Sequence, residues 1–349
     1  MIKTTRKTQF GSKILIIDGL PGCGKTMLSP IVSALDRVEK LSYSFEMELI
    51  CQLWDLGKID DNTARTMVRT FADQKLYYTM MGRDVNFRWG DLSSAFMDAR
   101  PWRYVQRLFG PGDETVPARV EKERPILHLA THQLLGMGRP VFEALGDRLL
   151  FIEVMRHPLY MVKQQALNIA KLIGDVRYSA VHFEHKGAEL PCWTRGWEDV
   201  FLRSNETERA VHSILWMSRR ARESKEALVP LYGERILTVL FESFVLDPWP
   251  YMEEITGKLG TALNALTRRA MRKQNVPRTK IASGIDLPIY RRCGWQPAKA
   301  NADERQEFAD RRDWAAQRIS LEVLELLDQC CREYEKQYMG KLQDIQGRR

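Results

Sequence analysis

Short apolar runs alternate with longer amphipathic segments along the chain. Runs that are almost continuously apolar, bounded by turn or charged residues, are typical of strands buried on both faces of a parallel sheet. Apolar positions at helical spacing between them predict helices. The predicted strands are Lys13–Asp18, Pro125–Ala130, Leu149–Met155 and Ile236–Phe241, and the predicted helices include Met27–Arg37, Asn62–Met81, Thr207–Leu228 and Arg312–Met339. This alternation predicts an α/β fold of three layers, with a central, mainly parallel sheet flanked by helices.

Two long segments show neither the continuous apolar runs of the predicted strands nor the helical spacing of the predicted helices. Residues 82–123 and 174–205 contain several Gly, Pro and Trp residues and have weak periodicity. Long irregular segments in compact domains are often functional, so both are candidate lids or acceptor-binding insertions. With 349 residues, we expect a single domain over 1–349 that ends in a C-terminal helix over 306–340.

Composition excludes several classes of protein. The chain is 44% hydrophobic and 28% charged, close to the globular average, which excludes wholesale disorder. No run of 18 uncharged apolar residues predicts a membrane span. The six cysteines form no CxxC pair, so neither a zinc ribbon nor a disulfide framework is indicated. Without a recognisable secretory signal, we expect a reduced, cytoplasmic setting.

The charge of the chain is concentrated in one block. The formal net charge is +8, and residues 262–300 contain nine basic residues and one acidic residue. Such a block suits a concentrated anion such as a phosphate or sulfate group, although a solvated helix face has the same composition. Tyr290 and Trp295 are too few to form a stacking platform, so we do not expect a nucleic acid as partner.

A phosphate-binding loop is the strongest motif in the sequence. An apolar strand precedes it and a helical pattern follows, which is the context that the GxxxxGK[ST] motif requires. Its glycines allow backbone N–H groups to surround an oxyanion, and the helix N-terminus adds positive charge. Lys25 is predicted to reach the terminal anionic group of a donor, and Thr26 either holds Mg²⁺ or binds phosphate directly. The predicted donor-binding residues are Gly19, Pro21, Gly22, Cys23, Gly24, Lys25 and Thr26.

Two further polar residues follow predicted strands. His132 comes after the second strand and Arg156 after the third. Ligands in open parallel sheets lie beyond the carboxyl ends of the strands, so both are expected beside the phosphate loop. Histidine there can act as general base toward a hydroxyl, and arginine can bind a phosphate. A structural histidine and a surface ion pair are the alternatives.

These residues resemble the core of the sulfotransferases. The sequence ATHQLL, followed after about twenty residues by FIEVMRHPLYMV, is similar to the family's strand-end histidine and later strand-end arginine. The resemblance implies that His132 deprotonates the acceptor hydroxyl and that Arg156 binds the 3′-phosphate of the donor, 3′-phosphoadenylyl sulfate. Gln164 stands where the family has a serine that binds the same phosphate. Arg291, Arg292 and Gly294 stand where the family has a loop over that phosphate.

The phosphate loop itself is closer to that of a nucleotide kinase, which leaves a second mechanism open. A kinase would use ATP or GTP with Mg²⁺ on Lys25 and Thr26. Asp18 or Glu242 would assist the metal, and Arg268, Arg269 or Arg272 would serve as lid arginines. The sulfotransferase alternative needs no metal. A nucleotide-binding module without turnover is a third possibility. The acceptor is left open among sugar or glycan hydroxyls, lipids and small alcohols, and so is the oligomeric state.

Overall fold

The computed structural model describes residues 2–176, 178–282 and 304–340. Its centre is a five-stranded sheet in which all strand pairs are parallel. The strands are β1 (Ile14–Asp18), β2 (Ser42–Tyr43), β3 (Leu127–Ala130), β4 (Leu149–Met155) and β7 (Ile236–Leu240), in the order β2-β3-β1-β4-β7. A separate antiparallel hairpin is formed by β5 (His182–His185) and β6 (Ala188–Pro191).

Helices cover both faces of this sheet. The first half of the chain contributes α1 (Lys25–Ser33), α2 (Phe45–Asp55), α3 (Asp61–Met81), α4 (Pro101–Arg107), α5 (Val116–Glu123), α6 (Arg139–Leu145) and α7 (Pro158–Leu172). The second half contributes α8 (Glu198–Arg203), α9 (Glu206–Tyr232), α10 (Phe241–Leu246), α11 (Trp249–Leu259), α12 (Ala265–Lys273), α13 (Glu304–Ala316) and α14 (Leu321–Tyr334). Short 3₁₀ turns span Ala95–Met97, Leu134–Met137, Gly146–Arg148, Cys192–Thr194 and Gly233–Arg235, and a π turn spans Glu335–Met339.

The central strand β1 divides the apolar core into two layers. Successive side chains of a strand point to opposite faces, so Leu15 and Ile17 pack with α1 and α11, whereas Ile14 and Ile16 pack with α2 and α3. All four side chains are fully buried. The predicted α/β fold with a parallel sheet between helical layers is therefore confirmed, and the four predicted strands are β1, β3, β4 and β7.

The two irregular segments have structure of their own. Residues 82–123 contain α4 and α5, and Arg107 of α4 donates two hydrogen bonds (2.7 and 3.0 Å) to the buried carboxylate of Glu39. Residues 174–205 contain the β5–β6 hairpin and α8. The aromatic residues Trp193, Trp197 and Phe201 of this segment pack against α7 and α9. Both segments are thus anchored to the main body of the chain.

The C-terminal region is not the single helix expected over 306–340. It is divided into α13 and α14 because Ser320 caps the second helix: its hydroxyl accepts a hydrogen bond from the N–H of Val323, and its backbone is extended. The Ser320 N–H also donates to Glu208 of α9 (3.0 Å), which fixes the corner. Among the described residues, no helix combines the length and apolar composition needed to cross a bilayer.

Candidate functional site

The phosphate loop joins β1 to α1 and has the conformation that an anion cradle requires. Gly24, the residue before α1, has a φ of 108°, a backbone conformation that favours glycine. A Cβ atom at this position would also overlap the ring of Phe241. Residue 24 must therefore be glycine for the loop to pack against Phe241 at the end of β7. In this conformation the N–H groups of the loop lie at the N-terminus of α1, where an anion can bind.

Most of the predicted loop residues border one cavity. Pro21, Gly22, Gly24, Lys25 and Thr26 line it. The Lys25 ammonium is turned back onto the Gly19 carbonyl, at the start of the same loop.

Gly19 and Cys23 do not line the cavity in the part of the chain that the structure describes. The Cys23 side chain packs into the apolar core instead, and burial raises the pKa of its thiol. The turn points these two positions toward the protein interior, and their contribution to donor binding stays a prediction.

Arg156 follows β4 and lies directly against the phosphate loop. Its Nη1 donates a hydrogen bond to the Gly22 carbonyl (3.0 Å), and its guanidinium carbon lies 4.0 Å from the ring centroid of Phe241 and 4.6 Å from that of Tyr160. Burial lowers the pKa of Arg156, and its buried Nε has no hydrogen-bond partner among the described residues. A half-buried cation whose buried Nε has no partner is suited to an anionic ligand.

Two further arginines approach the same pair of rings. The guanidinium carbon of Arg278 lies 5.4 Å from the Phe241 centroid, and that of Arg311 on α13 lies 4.5 Å from the Tyr160 centroid. Both line the cavity. We refer to Lys25, Arg156, Arg278 and Arg311 as the cationic wall. Sequence reasoning placed Arg278 in the basic block without a role and missed Arg311, which lies in a charged helix with no distinguishing signal.

Gln164 lies next to this wall. It lines the cavity, and its Cβ and Cγ lie 3.2 and 3.3 Å from the position that a Cβ of Gly22 would take. Its amide donates a weak hydrogen bond to Asn168 (3.4 Å), one turn further along α7. Arg291, Arg292 and Gly294 lie outside the described residues.

His132 lies on the other side of the phosphate loop, after β3, and is held by Glu48 of α2. The Glu48 Oε1 accepts the backbone N–H of His132 (2.8 Å) and lies 3.1 Å from its Nδ1. An ionised carboxylate only accepts hydrogen bonds, so Nδ1 is the donor in this pair, and in the neutral imidazole Nε2 keeps its lone pair. The described residues give Nε2 no partner, and about one third of the side chain is exposed. The role of Glu48 could not be identified from the sequence, because 84 positions separate it from His132.

A buried carboxylate fixes the loop that carries His132. Asp18, the last residue of β1, accepts hydrogen bonds from the Thr131 hydroxyl (2.8 Å) and from the N–H groups of Leu134 and Leu135 (both 3.0 Å). Since β1 also leads into the phosphate loop, one residue joins the two halves of the site.

The residues expected to serve a metal-dependent kinase are placed differently. Both oxygens of Asp18 bind the loop after β3, and Glu242 accepts the His157 N–H (2.9 Å) and the Tyr334 hydroxyl (2.7 Å). Arg268, Arg269 and Arg272 are exposed on α12 and do not line the cavity. The described residues contain no group of three or more His, Cys, Asp or Glu side chains able to hold a metal ion. The arrangement does not favour the kinase alternative.

A cavity of about 760 Å³ connects these residues. The ends of β1 and β4 supply Lys25 and Arg156 of the cationic wall, and the ends of β3 and β2 supply His132, Tyr43 and Phe45 on the opposite side. Both irregular segments reach it as well, the first through Asp91 and Leu92 and the second through residues 178–180 and Trp193. The cavity therefore joins an anion-binding half and a half that contains a histidine with a free lone pair.

Solved structures similar to this chain include several enzymes of one kind. One is the sulfotransferase domain from the Synechococcus PCC 7002 olefin synthase, with 13% identity, 94% of this chain and 98% of that chain covered, and a TM-score of 0.40. The sulfotransferase domain from the curacin biosynthetic pathway has 11% identity, covers 92% and 98%, and gives a TM-score of 0.46. Mouse sulfotransferase SULT7A1, complexed with PAP, has 10% identity, covers 92% and 89%, and gives 0.38. These similar structures are sulfotransferases.

The sequence motifs had predicted this likeness. No protein-family model and no curated protein sequence matches the chain. Identities and TM-scores this low do not assign an activity, so the function is inferred from the residues of the site.

Proposed function

We propose that this chain is a sulfotransferase-like enzyme that transfers a sulfuryl group from 3′-phosphoadenylyl sulfate to a hydroxyl acceptor. The observation that carries the proposal is that Lys25, Arg156 and His132 border one cavity, with the Nδ1 of His132 held by Glu48. Anion-binding groups and a proton acceptor on opposite sides of one cavity are what in-line transfer to a hydroxyl requires.

Each residue has a defined role in this reaction. His132 accepts the proton of the acceptor hydroxyl at Nε2 while the acceptor oxygen forms its bond to sulfur. The bond between sulfur and the bridging phosphate oxygen breaks, and Lys25 and the loop N–H groups stabilise the charge that appears on the leaving phosphate. Glu48 positions the imidazole and stabilises its protonated form.

The cationic wall fits a donor with phosphate groups at two places. The loop N–H groups and Lys25 provide one set of donors, and Arg156, Arg278 and Arg311 lie around Phe241 and Tyr160. Arg311 is also paired with Glu307 (2.6 Å). In our proposal Arg156 binds the 3′-phosphate, assisted by Gln164. Arg291, Arg292 and Gly294 complete this subsite in the proposal on the strength of the family resemblance alone. Five free cysteines among the described residues support a reduced, cytoplasmic setting.

Calorimetric titration tests the proposed donor. We expect 3′-phosphoadenosine 5′-phosphate to bind in the presence of EDTA with a dissociation constant on the order of micromolar, and ATP with Mg²⁺ to bind more weakly. Lys25→Ala should weaken this binding, and Lys171→Ala, an exposed lysine on α7, should not. Binding of ATP alone, abolished by EDTA, would overturn the proposal in favour of a kinase.

Turnover is measured separately. Incubation with 3′-phosphoadenylyl sulfate and a panel of hydroxyl compounds, followed by mass spectrometry, should give a sulfated product. Tight nucleotide binding without product on any sugar, lipid or small alcohol would indicate a nucleotide-binding module that has no transferase activity.

A further inference from the structure

Exposed cations of α12 share one side of that helix. We refer to Arg268, Arg269, Arg272 and Lys273 as the basic face, since all four are exposed. Positions i, i+1, i+4 and i+5 lie on one side of a helix, and a rise of about 1.5 Å per residue places the four cations within about 8 Å along its axis. No acidic residue occurs in residues 261–282. Within the described ranges, none of the four cations is paired with a carboxylate.

The basic face is not explained by the stability of its own helix. It places Arg268 one turn from Arg272, and like charges at this spacing destabilise a helix. Arg272 suits the last turn, where cations are favourable, but Arg268 lies further from the helix end. Other helices place opposite charges at the same spacing, in the pairs Arg119–Glu123, Arg139–Glu143, Arg219–Glu223 and Glu254–Lys258. The basic face therefore points to an anion outside the protein.

The position of α12 brings this face near the donor end of the cavity. Its N-cap residue, Asn264, donates to the carbonyl of Ala34, just beyond the end of α1 (3.0 Å). Its C-cap residue, Gln274, lines the cavity, as does Lys25 at the start of α1. The helix thus runs back along α1 toward the phosphate loop, and the basic face lies in the part of α12 that is nearer to the cavity.

The acidic residues at the donor end lie on another helix. Glu307 and Asp310 of α13 line the cavity. Glu307 accepts a hydrogen bond from Arg311 (2.8 Å), and Asp310 accepts one from Gln306 (2.8 Å). Asp36 lies beside the other end of α12, away from the cavity. The positive charge of the basic face is therefore not neutralised by a carboxylate of its own helix.

Exposed cations outside a cavity act mainly on the approach of a ligand. They contribute little to the affinity of the complex once it has formed. A cluster of one sign beside a cleft raises the local concentration of an oppositely charged ligand, and it increases the association rate by about 10- to 1,000-fold. The Debye length is about 10 Å at 0.1 M salt and about 30 Å at 0.01 M, so this effect depends strongly on salt.

Building on the proposed function, we propose that the basic face of α12 steers the anionic nucleotide donor toward the phosphate loop. The phosphate groups of the nucleotide are attracted by this face before they reach the cavity. The bound nucleotide is held by the cationic wall and not by α12. The basic face therefore sets the association rate and its salt dependence, and the cationic wall sets the dissociation rate.

Stopped-flow kinetics test this division of roles. The variant replaces all four residues of the basic face by Gln, which is a good helix former. Binding of 3′-phosphoadenosine 5′-phosphate is followed by tryptophan fluorescence, since Trp193 and Trp314 line the cavity. We expect the association rate to fall roughly tenfold at about 0.02 M salt and less than about twofold at about 0.5 M, with the dissociation rate unchanged. Faster dissociation with an unchanged association rate would overturn the proposal.

A matched variant separates the position of the charges from the net charge. Lys3, Lys7, Lys58 and Lys122 are exposed, do not line the cavity and lie outside α12. Replacing these four by Gln lowers the net charge by the same amount. The association rate of this control should stay within about twofold of wild type at each salt concentration. Equal slowing of both variants would assign the effect to net charge and would contradict steering by α12.

Other anionic partners are tested with the same two variants. The probes are a single-stranded DNA oligonucleotide and phosphatidylcholine vesicles that contain about 30% phosphatidylserine, at about 0.15 M salt. We expect neither probe to distinguish the α12 variant from the lysine control. Binding of either probe that is lost only in the α12 variant would assign the basic face to a macromolecule or a membrane and would overturn the proposal.

The choice of nucleotide separates this inference from the proposed function. If the wild-type protein binds ATP with Mg²⁺ but not 3′-phosphoadenosine 5′-phosphate, the proposed function fails. The same comparison of association rates with ATP then tests the steering. Slower association of ATP in the α12 variant alone would support the steering. Absence of binding of both nucleotides would overturn both proposals.

Discussion

The cationic wall and the side of the cavity that contains His132 are built differently. Lys25, Arg156 and the ring of Phe241 follow the adjacent strands β1, β4 and β7, so the sheet itself fixes their spacing. The side that contains His132 draws on the loop after β3, on the two-residue edge strand β2, on α2 and on the segment 174–205. In the proposed function, the donor therefore lies on elements fixed by the central strands, and the acceptor lies beside β2, α2 and the segment 174–205.

Removing the proton acceptor should give the largest effect. His132→Ala is expected to lower kcat by roughly 10²–10⁴-fold, the usual contribution of a general base. Affinity for 3′-phosphoadenosine 5′-phosphate should stay unchanged, since His132 lies on the opposite side of the phosphate loop. Single-turnover rates and calorimetry measure the two quantities. A kcat within threefold of wild type would show that the imidazole is not the base.

The cationic wall is tested by Arg156→Ala. Loss of hydrogen bonds from a charged group costs about 1.5–3 kcal/mol, so affinity for 3′-phosphoadenosine 5′-phosphate should fall about 10- to 100-fold. Affinity for 5′-AMP, which lacks the 3′-phosphate, should change much less. Equal losses for both nucleotides would place Arg156 at the other phosphate. Arg219→Ala, on the outer face of α9, is the control.

The positioning role of Glu48 should give a smaller effect. Glu48→Gln keeps the shape of the side chain but removes the charge that orients and stabilises the imidazole, so we expect kcat to fall about tenfold. The donor KM and the thermal midpoint should match those of Glu46→Gln, an exposed neighbour on α2. A lower thermal midpoint with unchanged kcat would assign Glu48 a purely structural role.

The smallest effect is expected on α12. Arg269→Ala removes an exposed cation that does not line the cavity. Its nucleotide affinity should stay within about twofold of wild type, because exposed charges contribute little. A loss comparable to that of Arg156→Ala would show that α12 reaches the donor and would weaken the division between the two sides of the cavity.

The parts of the fold that depend on local pattern could be predicted from the sequence. The strands β1, β3 and β4 are almost fully buried and largely apolar, β7 alternates between half-buried and buried residues, and the phosphate loop lies in its expected context. The positions of His132 and Arg156 beside the loop followed from the rule that parallel strands end at one edge.

The remaining features depend on contacts between distant parts of the chain. Strand β2 has two residues, too few for a period to be detected, although Phe45 and Glu48 come directly after it. Glu48 and Arg311 resemble any other charged residue of an amphipathic helix until the fold brings them to the cavity. The break at Ser320 was readable in principle, since serine is a preferred N-cap, but the continuous helical period around it concealed the signal.

Glu242 connects the C-terminal region to the neighbourhood of Arg156. Its carboxylate joins the N–H of His157, the neighbour of Arg156, to the hydroxyl of Tyr334 at the end of α14. Detachment of α14 would leave that buried charge with one partner fewer beside the guanidinium. Nucleotide binding and retention of the last helix should therefore reinforce each other reciprocally. Slower amide hydrogen exchange in α14 on addition of nucleotide would reveal this coupling.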